Sequence, residues 1–170
     1  RDFVSMADSG VLGLITGQII GRWGNFFNCE AFGGFTDNLL AMRIKMSLVN
    51  PSMISQELVD KQIVENGVAY IQVHPTFFYE SMWNLGVLAF MLWYRKRKKF
   101  EGEMLWIYFL GYGLGRVWIE GLRTDQLKIP GTGMAVSQLL SAALVCVAAA
   151  VIVTRHRKLK AEKENVRSES

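Results

Sequence analysis

The sequence predicts an all-α polytopic membrane protein that has about four transmembrane helices and one extracytoplasmic insert. Hydrophobic residues make up 51% of the 170 residues and the mean hydropathy is +0.19, which is high for a soluble domain and modest for a membrane protein. This average hides long apolar runs that alternate with compact basic clusters. Each run approaches the length of about 20 apolar residues that a helix needs to cross a hydrocarbon core of about 30 Å.

Four stretches are predicted to span the membrane: residues 10–27, 77–94, 103–122 and 134–153. The fourth is the clearest because it carries no charge, and the second carries only Glu80. The third begins at Glu103 and contains Arg116 and Glu120. The first is the weakest, since it is rich in glycine and contains Arg22 among other polar residues.

The remaining segments are polar. Residues 35–72 form the predicted insert, in which residues 55–65 are expected to form a short amphipathic helix and residues 68–73 a short strand. Residues 155–170 form a charged tail that we expect to be a frayed helix or disordered. Residues 1–154 are therefore the predicted membrane-embedded portion.

Basic residues cluster at two places and predict the orientation of the spans. One cluster, residues 95–99, follows the second span, and the other, residues 155–167, follows the fourth. Because short cytoplasmic loops accumulate Lys and Arg, and two spans separate the clusters, both are expected on the cytoplasmic side. The insert and the loop of residues 124–133 then face outward. The net charge of +4 is thus a topology signal, and no nucleic-acid partner is expected, since the basic residues flank spans rather than a groove with aromatic platforms.

The third span concentrates polar chemistry on one narrow stripe. Its members follow one another at helical steps of four, four and three residues: Tyr112, Arg116, Glu120 and Arg123. Charged side chains in a bilayer are costly and usually face a bundle interior or a wet cavity. An excess of arginine suits a phosphate group, whose oxygens match the guanidinium fork. The alternative is an internal ion pair that only holds helices together, with Arg123 extending to the interface.

A similar polar face is predicted on the first span. Gln18, Arg22 and Asn25 are spaced by four and three residues, and five glycines between residues 10 and 24 form an adjoining smooth stripe. We expect the two arginine-bearing faces to meet in one cleft. The alternative is that the glycines serve only packing and that Arg22 only anchors the helix at the interface.

His74 lies at the mouth of the second span and has two interpretations. It is either a hydrogen-bonding residue at a helix start or a base that titrates near neutral pH. Cys29 and Cys146 are the only cysteines, and two cysteines cannot form a zinc site alone. No metal and no organic cofactor is indicated.

Three blocks of the sequence resemble, in order, the prolipoprotein diacylglyceryl transferase family. The first is GRWGNFFNCE, residues 21–30, which is preceded by Gln18 and continues to Gly33. The second is HPT, residues 74–76, followed by the Tyr-Glu pair at residues 79–80. The third is the Tyr-Gly pair at residues 112–113, followed by Arg116, Glu120, Arg123 and Asp125.

The resemblance implies a seven-helix bundle in the bacterial plasma membrane, with a cleft open to the outer leaflet. This chain would supply the last four helices and a cytoplasmic C-terminus. The implied reaction transfers the diacylglyceryl group of phosphatidylglycerol to the lipobox cysteine in the signal peptide of a prolipoprotein, with membrane lipids as surroundings. A catalytic His-Gly segment of the family would lie upstream, so the chain alone is expected to be inactive. A fragment of a transporter or channel subunit, or a purely structural subunit, is the alternative function.

The resemblance also implies roles for particular residues. The catalytic candidates are Arg22, Arg116, His74 and Tyr112. The substrate-binding candidates are Arg22, Asn25, Glu30, Gly33, Glu120 and Arg123. The two catalytic arginines would hold the phosphate and the leaving group, Glu30 and Glu120 would orient them, and Asn25 would donate to the headgroup. The first candidate for the base that deprotonates the thiol lies upstream of Arg1, and His74 is the second.

Overall fold

The computed structural model of the protein describes residues 3–123 and 135–168. This part of the chain is mostly helical and contains one small sheet. In chain order the elements are α1 (Phe3–Phe27), β1 (Met42–Lys45), α2 (Gln56–Asp60), β2 (Ile63–Glu65), β3 (Val68–Val73), α3 (Thr76–Tyr94), α4 (Glu103–Glu120) and α5 (Val136–Ser168).

Two of the helices are long and apolar enough, by length and composition, to cross a membrane. The most apolar 18-residue window has a mean hydropathy of 1.4 in α1 and 2.4 in α5. Only 17% and 6% of these windows are buried within the protein, so most of their apolar side chains face outward. Such extended apolar surface suits contact with lipid. The first helix begins at Phe3, well before residue 10, where the predicted span starts.

Helices α3 and α4 coincide with the second and third predicted spans. They contain 19 and 18 residues, close to the roughly 20 that a bilayer requires. Both also expose large apolar side chains, among them Leu85 and Phe90 on α3 and Leu114 and Trp118 on α4. That these two helices cross the membrane stays a prediction.

Helix α5 extends much further than the predicted fourth span. It runs through 33 residues without interruption to Ser168. The tail after Thr154, expected to be frayed or disordered, is therefore helical. Its physical basis is visible in the sequence, because residues 155–168 contain neither Gly nor Pro and are rich in the strong helix formers Lys, Arg and Glu. Residue 134, where the predicted span begins, lies outside the described residues, as does the predicted outer loop of residues 124–133.

The helices pack through apolar residues near one end of the bundle. Val11 and Ile15 of α1, Met91 of α3 and Ile107 of α4 belong to one buried cluster. Helices α3 and α4 approach closely where Gly111 faces the Val87 side chain. A Cβ at any of the five glycines of α1 would meet no atom of the described residues within 4 Å apart from its own helix, so close helix approach at this stripe stays a prediction.

The insert between α1 and α3 forms an antiparallel sheet in the order β1-β3-β2. The register pairs Met42 with Val73 and Ile63 with Tyr70. Apolar side chains cover one side of this sheet and form a second core, which includes Phe32, Ile44, Val49, Leu58, Ile71 and Val73. The strand predicted at residues 68–73 is confirmed as β3, whereas the sheet as a whole departs from an all-α class.

The amphipathic helix predicted at residues 55–65 is only partly present. It ends at Asp60, and Ile63–Glu65 forms β2 instead. The reason is the Asn66-Gly67 pair that follows, in which both residues have positive φ values of 52° and 77°. Two such residues form the hairpin turn whose twist matches antiparallel strands, and the β-branched Ile63 and Val64 favour the extended strand.

Candidate active site

Glu80 joins the two arginines that the sequence singles out. It lies near the start of α3 and is 4% exposed. Its Oε2 atom lies 2.6 Å from Nε of Arg22 on α1, and its Oε1 atom lies 3.3 Å from Nη1 of Arg116 on α4. Three helices therefore converge on one carboxylate, and the faces bearing Arg22 and Arg116 meet, as expected from their spacing.

Glu120 extends this network along α4 and to α5. Its Oε2 atom lies 2.6 Å from Nη2 of Arg116, one turn earlier, and 3.8 Å from Nη1 of Arg123. Its Oε1 atom accepts a hydrogen bond of 2.8 Å from the Ser137 hydroxyl. We call the following five residues the arginine cluster: Arg22, Glu80, Arg116, Glu120 and Arg123. With three guanidinium groups and two carboxylates, the arginine cluster has a formal charge of +1.

The close approach of α3 and α4 sets the distance between Glu80 and Arg116. A Cβ at Gly115, the residue before Arg116, would overlap the indole ring of Trp83. The same indole donates a hydrogen bond of 2.8 Å from Nε1 to the carbonyl oxygen of Gly111. A glycine at position 115 thus makes room for the Trp83 ring, and the two helices come near enough for their charged side chains to pair.

A second polar layer lies about one helical turn deeper in the bundle. Gln18 donates from Nε2 to the Tyr108 hydroxyl at 2.8 Å, and the rings of Tyr108 and Tyr112 stack with centroids 5.5 Å apart. Asn84, 2% exposed, lines a small cavity with Tyr112 and Arg116. Within the described residues, the Nδ2 atom of Asn84 and the Oε1 atom of Gln18 are buried without hydrogen-bond partners. Such groups are costly unless a partner is supplied.

Several donors near the arginine cluster remain available. Arg22 contacts Glu80 through Nε, and its Nη atoms form no ion pair or hydrogen bond with the described residues. Asn25 follows Arg22 by three residues on α1 and is half-buried, and its side chain forms no hydrogen bond with the described residues. The same holds for the Tyr112 hydroxyl. A ligand with several acceptor oxygens can therefore bind without displacing the ion pairs.

Backbone contacts of Gly33 bring it next to both His74 and Arg123. The amide of Gly33 donates to the carbonyl of His74 at 3.0 Å, and Gly33 forms an isolated antiparallel bridge with Arg123. A Cβ at Gly33 would lie 2.7 Å from the Cβ of His74 and 2.8 Å from the carbonyl oxygen of Leu122. Only glycine fits this junction without movement of its neighbours. It joins the segment after α1 to the end of α4 and to the start of α3.

The His74 side chain lies beside an aromatic hydroxyl. Its Nδ1 atom is 3.4 Å from the hydroxyl oxygen of Tyr79, and the Tyr79 ring packs against Trp118 with centroids 6.4 Å apart. The imidazole is half-buried, so it is partly accessible from outside. It can hold a proton or accept one at Nε2 while Nδ1 faces Tyr79.

Glu30 lies in the exposed turn after α1, and its position differs from the expected contact with an arginine. Its Oε1 atom accepts a hydrogen bond of 3.1 Å from Nδ2 of Asn28, and its amide donates to the carbonyl of Asn25 at 3.0 Å. Glu80, and not Glu30, occupies the position beside Arg22. Asp125, the last residue of the third sequence block, lies outside the described residues.

Glu80 is the residue whose place in this site the sequence reasoning missed. In the sequence it stands out only as the single charge of the second predicted span and as part of the Tyr-Glu pair at residues 79–80. The signal that could have identified it is its isolation as the single charge of an apolar span, because a buried carboxylate requires a cationic partner and the arginines of the neighbouring spans supply two. Within residues 3–123 and 135–168, no group of three or more His, Cys, Asp or Glu side chains is arranged to hold a metal ion.

Comparison with known proteins adds a family relationship to this geometry. The family model described as "Prolipoprotein diacylglyceryl transferase" matches residues 1–154. A protein of Thermosynechococcus vestitus named phosphatidylglycerol–prolipoprotein diacylglyceryl transferase is 43% identical over 129 residues, which cover 75% of this chain and 43% of the relative. Proteins of the same name from Clostridioides difficile and Lysinibacillus sphaericus are 40% and 36% identical, over 79% and 93% of this chain.

The chain spans about half the length of these curated relatives, with 44% of the Clostridioides difficile protein and 54% of the Lysinibacillus sphaericus protein covered. None of the names refers to a transporter or a channel. The transporter interpretation therefore gains no support from these similarities.

Proposed function

The chain belongs to the prolipoprotein diacylglyceryl transferase family, and from this membership and the geometry of the arginine cluster we propose that it forms part of an enzyme that transfers a diacylglyceryl group from phosphatidylglycerol to a prolipoprotein. The acceptor is the sulfur of the lipobox cysteine. The relatives' names state this donor and the class of acceptor.

In the proposed reaction the cysteine thiolate attacks the carbon of the diacylglyceryl group that bears the phosphate ester. A C–S thioether bond forms, the C–O bond to the phosphate group breaks, and glycerol phosphate departs with the bonding electrons. The thiol proton passes to a base. The protein must therefore bind an anionic headgroup, stabilise the negative charge that grows on the departing phosphate and generate a thiolate.

The observation that carries this proposal is the convergence of Arg22 and Arg116 on Glu80. The carboxylates of Glu80 and Glu120 fix both guanidinium groups in position. The Nη atoms of Arg22, which no ion pair within the described residues engages, supply a fork that matches two phosphate oxygens. A fixed cation that needs no reorganisation during the reaction is an effective means of stabilising a leaving group.

The other candidate residues take supporting roles in this proposal. Asn25 and Tyr112 donate hydrogen bonds to the headgroup, and Arg123 adds positive charge at the end of α4. Gly33 contributes through its backbone, by holding the junction that places His74 and Arg123 together. Glu30 binds substrate from the turn after α1. His74 is the base candidate within this chain, while another base can lie in the part of the enzyme that precedes it.

We further propose the arrangement in the membrane. The four long helices cross the plasma membrane of a bacterium as part of a seven-helix bundle. The basic residues after α3 and α5 place those ends and the C-terminus in the cytoplasm, so the sheet-containing insert and the arginine cluster lie toward the outer leaflet. Domain boundaries follow, with residues 1–154 embedded and residues 155–170 cytoplasmic. Phosphatidylglycerol and the signal peptide are then both accessible from the bilayer.

The experiment that tests the proposal replaces arginine with lysine at two positions. Arg22→Lys and Arg116→Lys keep the charge but lose the planar fork, so we expect the rate of lipidation by the full-length protein to fall by about 10²–10³-fold, the effect of removing one preorganised donor. Transfer of labelled phosphatidylglycerol to a lipobox peptide measures it.

Arg43→Lys is the matched control, because Arg43 makes an exposed ion pair of 2.8 Å with Glu65 in the sheet and does not touch the arginine cluster. It should keep the parent rate. Membrane insertion of all three variants should be normal. Parent rates for both Arg22→Lys and Arg116→Lys would reject the assignment, and an unmodified peptide thiol in the parent reaction would reject the transferase itself.

A further inference from the structure

Two neighbouring hollows lie at the end of the bundle opposite the arginine cluster, between α5 and the segment that joins α3 to α4. The first has a volume of about 660 Å³. Its lining includes His156 but consists mainly of basic side chains, which are Lys98, Lys99, Arg157, Lys160 and Lys163. We call it the basic hollow. A cytoplasmic position accounts for basic residues at this end of the helices, but it does not require them to line one hollow.

The basic hollow carries an excess of positive charge. Lys98 pairs with Glu101 at 2.8 Å and with Asp8 at 3.3 Å, and Lys160 lies 3.8 Å from Glu164. The remaining three cations, Lys99, Arg157 and Lys163, form no ion pair with the described residues. The hollow can therefore accept a group with one or two negative charges without losing any of the pairs it already has.

Part of the basic hollow is held in shape by buried groups. His156 contacts Oε1 of Glu103 through Nε2 at 2.5 Å, and its ring packs edge-on against Phe100 with centroids 5.9 Å apart. Glu103 is fully buried at the start of α4. The hydrogen bond to Glu101 raises the pKa of Lys98. Burial opposes this rise and the hydrogen bond to Asp8 adds to it, so Lys98 is charged at neutral pH.

The lining residues of the second hollow are next in sequence to those of the first on both elements. The second hollow has a volume of about 490 Å³, and its lining is mainly apolar, with Val4, Phe100, Leu105, Trp106 and Val151, but it also includes Glu101, Gly102, Thr154 and Arg155. Its residues 151–155 on α5 directly precede residues 156–163 of the basic hollow, and its residues 100–106 directly follow Lys98 and Lys99. The apolar sequence of α5 ends at Val153. In the orientation proposed above, the apolar hollow is then nearer the hydrocarbon core and the basic hollow nearer the headgroups.

We propose that the two hollows together bind one anionic phospholipid, with its phosphate in the basic hollow and an acyl chain in the apolar hollow. By the orientation proposed above, this lipid belongs to the cytoplasmic leaflet, so it is distinct from a donor lipid at the arginine cluster. A soluble anion would occupy only the basic hollow. A phospholipid would occupy both, because its phosphate and its acyl chain are joined as the two hollows follow each other along the chain. Basic pockets at this level of membrane proteins are suited to anionic headgroups.

Trp106 provides a local test, because its ring lines the apolar hollow. The full-length protein is reconstituted in bilayers with brominated phosphatidylglycerol or brominated phosphatidylcholine, whose bromines quench a tryptophan that they contact. The difference in fluorescence quenching between the parent protein and Trp106→Phe isolates the contribution of Trp106. We expect phosphatidylglycerol to quench Trp106 with a relative affinity about tenfold or more above that of phosphatidylcholine, which has no net charge.

Matched triple variants identify the site. Lys99→Gln, Arg157→Gln and Lys163→Gln together should reduce the preference to about onefold. The control variant combines Lys96→Gln, Lys158→Gln and Arg167→Gln. It removes the same charge, also one from the connecting segment and two from α5, but none of these residues lines the hollow. It should keep the preference for phosphatidylglycerol. An equal loss in both variants, or no preference in the parent protein, overturns the proposal.

Two further measurements make the result specific. Lys163→Gln alone, an exposed change at the far end of the hollow, should lower the preference severalfold, so the test does not depend on the fold of the triple variant. If millimolar glycerol phosphate abolishes the preference, the basic hollow is a free-anion site and the lipid assignment is wrong. The readout needs no lipid transfer, and so failure here leaves the proposed transferase activity untouched, just as failure of the arginine variants leaves this site untouched.

Discussion

The two groups of buried charges at opposite ends of the helices differ in how completely they are satisfied. In the arginine cluster three cations share two carboxylates, and the Nη atoms of Arg22 have no partner among the described residues. The other group lies at the opposite end and contains Asp8, Tyr94, Lys98, Glu103 and His156, which we call the acid cluster. There each carboxylate has three donors.

The donors of the acid cluster come from every neighbouring segment. Asp8 accepts hydrogen bonds from the amides of Gly102 and Leu105 at 2.9 and 3.1 Å and pairs with Lys98. Glu103 accepts from the Tyr94 hydroxyl at 2.8 Å, from the Lys99 amide at 2.5 Å and from His156 at 2.5 Å.

This difference indicates that the acid cluster stabilises the packing of the helices, whereas the arginine cluster can also bind a ligand. A saturated carboxylate stabilises the packing of helices and leaves little capacity for a ligand, whereas Arg22 keeps Nη donors that no described residue engages and that an anion can use. We therefore expect changes to the two carboxylates of the acid cluster, Asp8 and Glu103, to affect stability but not lipidation. Changes in the arginine cluster should affect both stability and lipidation.

The largest effect is expected for Glu80→Gln. This change leaves Arg22 and Arg116 partly buried without their common carboxylate, and removal of one partner from a buried pair typically costs about 3–5 kcal/mol. The free energy of unfolding, from denaturant titration in detergent micelles, should fall by that amount, and lipidation should fall as well. A variant that keeps both stability and activity would show that Glu80 does not organise the arginines.

A smaller effect is expected for Glu103→Gln in the acid cluster. The amide keeps the shape of the side chain but loses the charge that favours His156 and the Lys99 amide, and hydrogen bonds to charged groups are worth about 1.5–3 kcal/mol. The same titration measures the loss. The rate of lipidation per folded molecule should not change, and a decrease in that rate would remove the distinction between the two clusters.

The smallest effect is expected for Asp8→Ala. Gly102 is the N-cap residue of α4 and has no side chain, so the carboxylate of Asp8 caps this helix from α1. Loss of an N-cap costs about 1 kcal/mol. Thermal unfolding should show a correspondingly small shift, while Asp8→Asn, which retains an acceptor oxygen, should lose less. Equal losses for both variants would indicate that the pair with Lys98, and not the cap, is the main contribution.

The sequence predicted the arginine cluster better than it predicted the rest of the molecule. The spacing of Tyr112, Arg116, Glu120 and Arg123 places these residues on one face of any α-helix, so their stripe follows from the helical period alone. Their partner on α3 does not follow from it. Whether Glu80 meets Arg22 depends on the rotation and depth of two separate helices, which are set by contacts such as Trp83 against Gly115.

The acid cluster was not predicted because many of its donors are backbone amides. An amide at Gly102 or Leu105 leaves no trace in the residue type, so nothing in the sequence connects Asp8 with the start of α4. The insert was misjudged for another reason. Residues 55–65 fit a helical pattern, and the Asn66-Gly67 turn that converts their second half into a strand acts from outside that window.

The uninterrupted length of α5 has a mechanical consequence. At a rise of about 1.5 Å per residue its 33 residues make a rod of about 50 Å, which exceeds a hydrocarbon core of about 30 Å. Ser137, near one end, is hydrogen-bonded to Glu120 of the arginine cluster, and the other end projects beyond Val153. Because a continuous helix resists bending, a small tilt at Ser137 becomes a larger displacement of the distal end. A fluorophore placed at the distal end would therefore report small rearrangements near Ser137 as larger displacements.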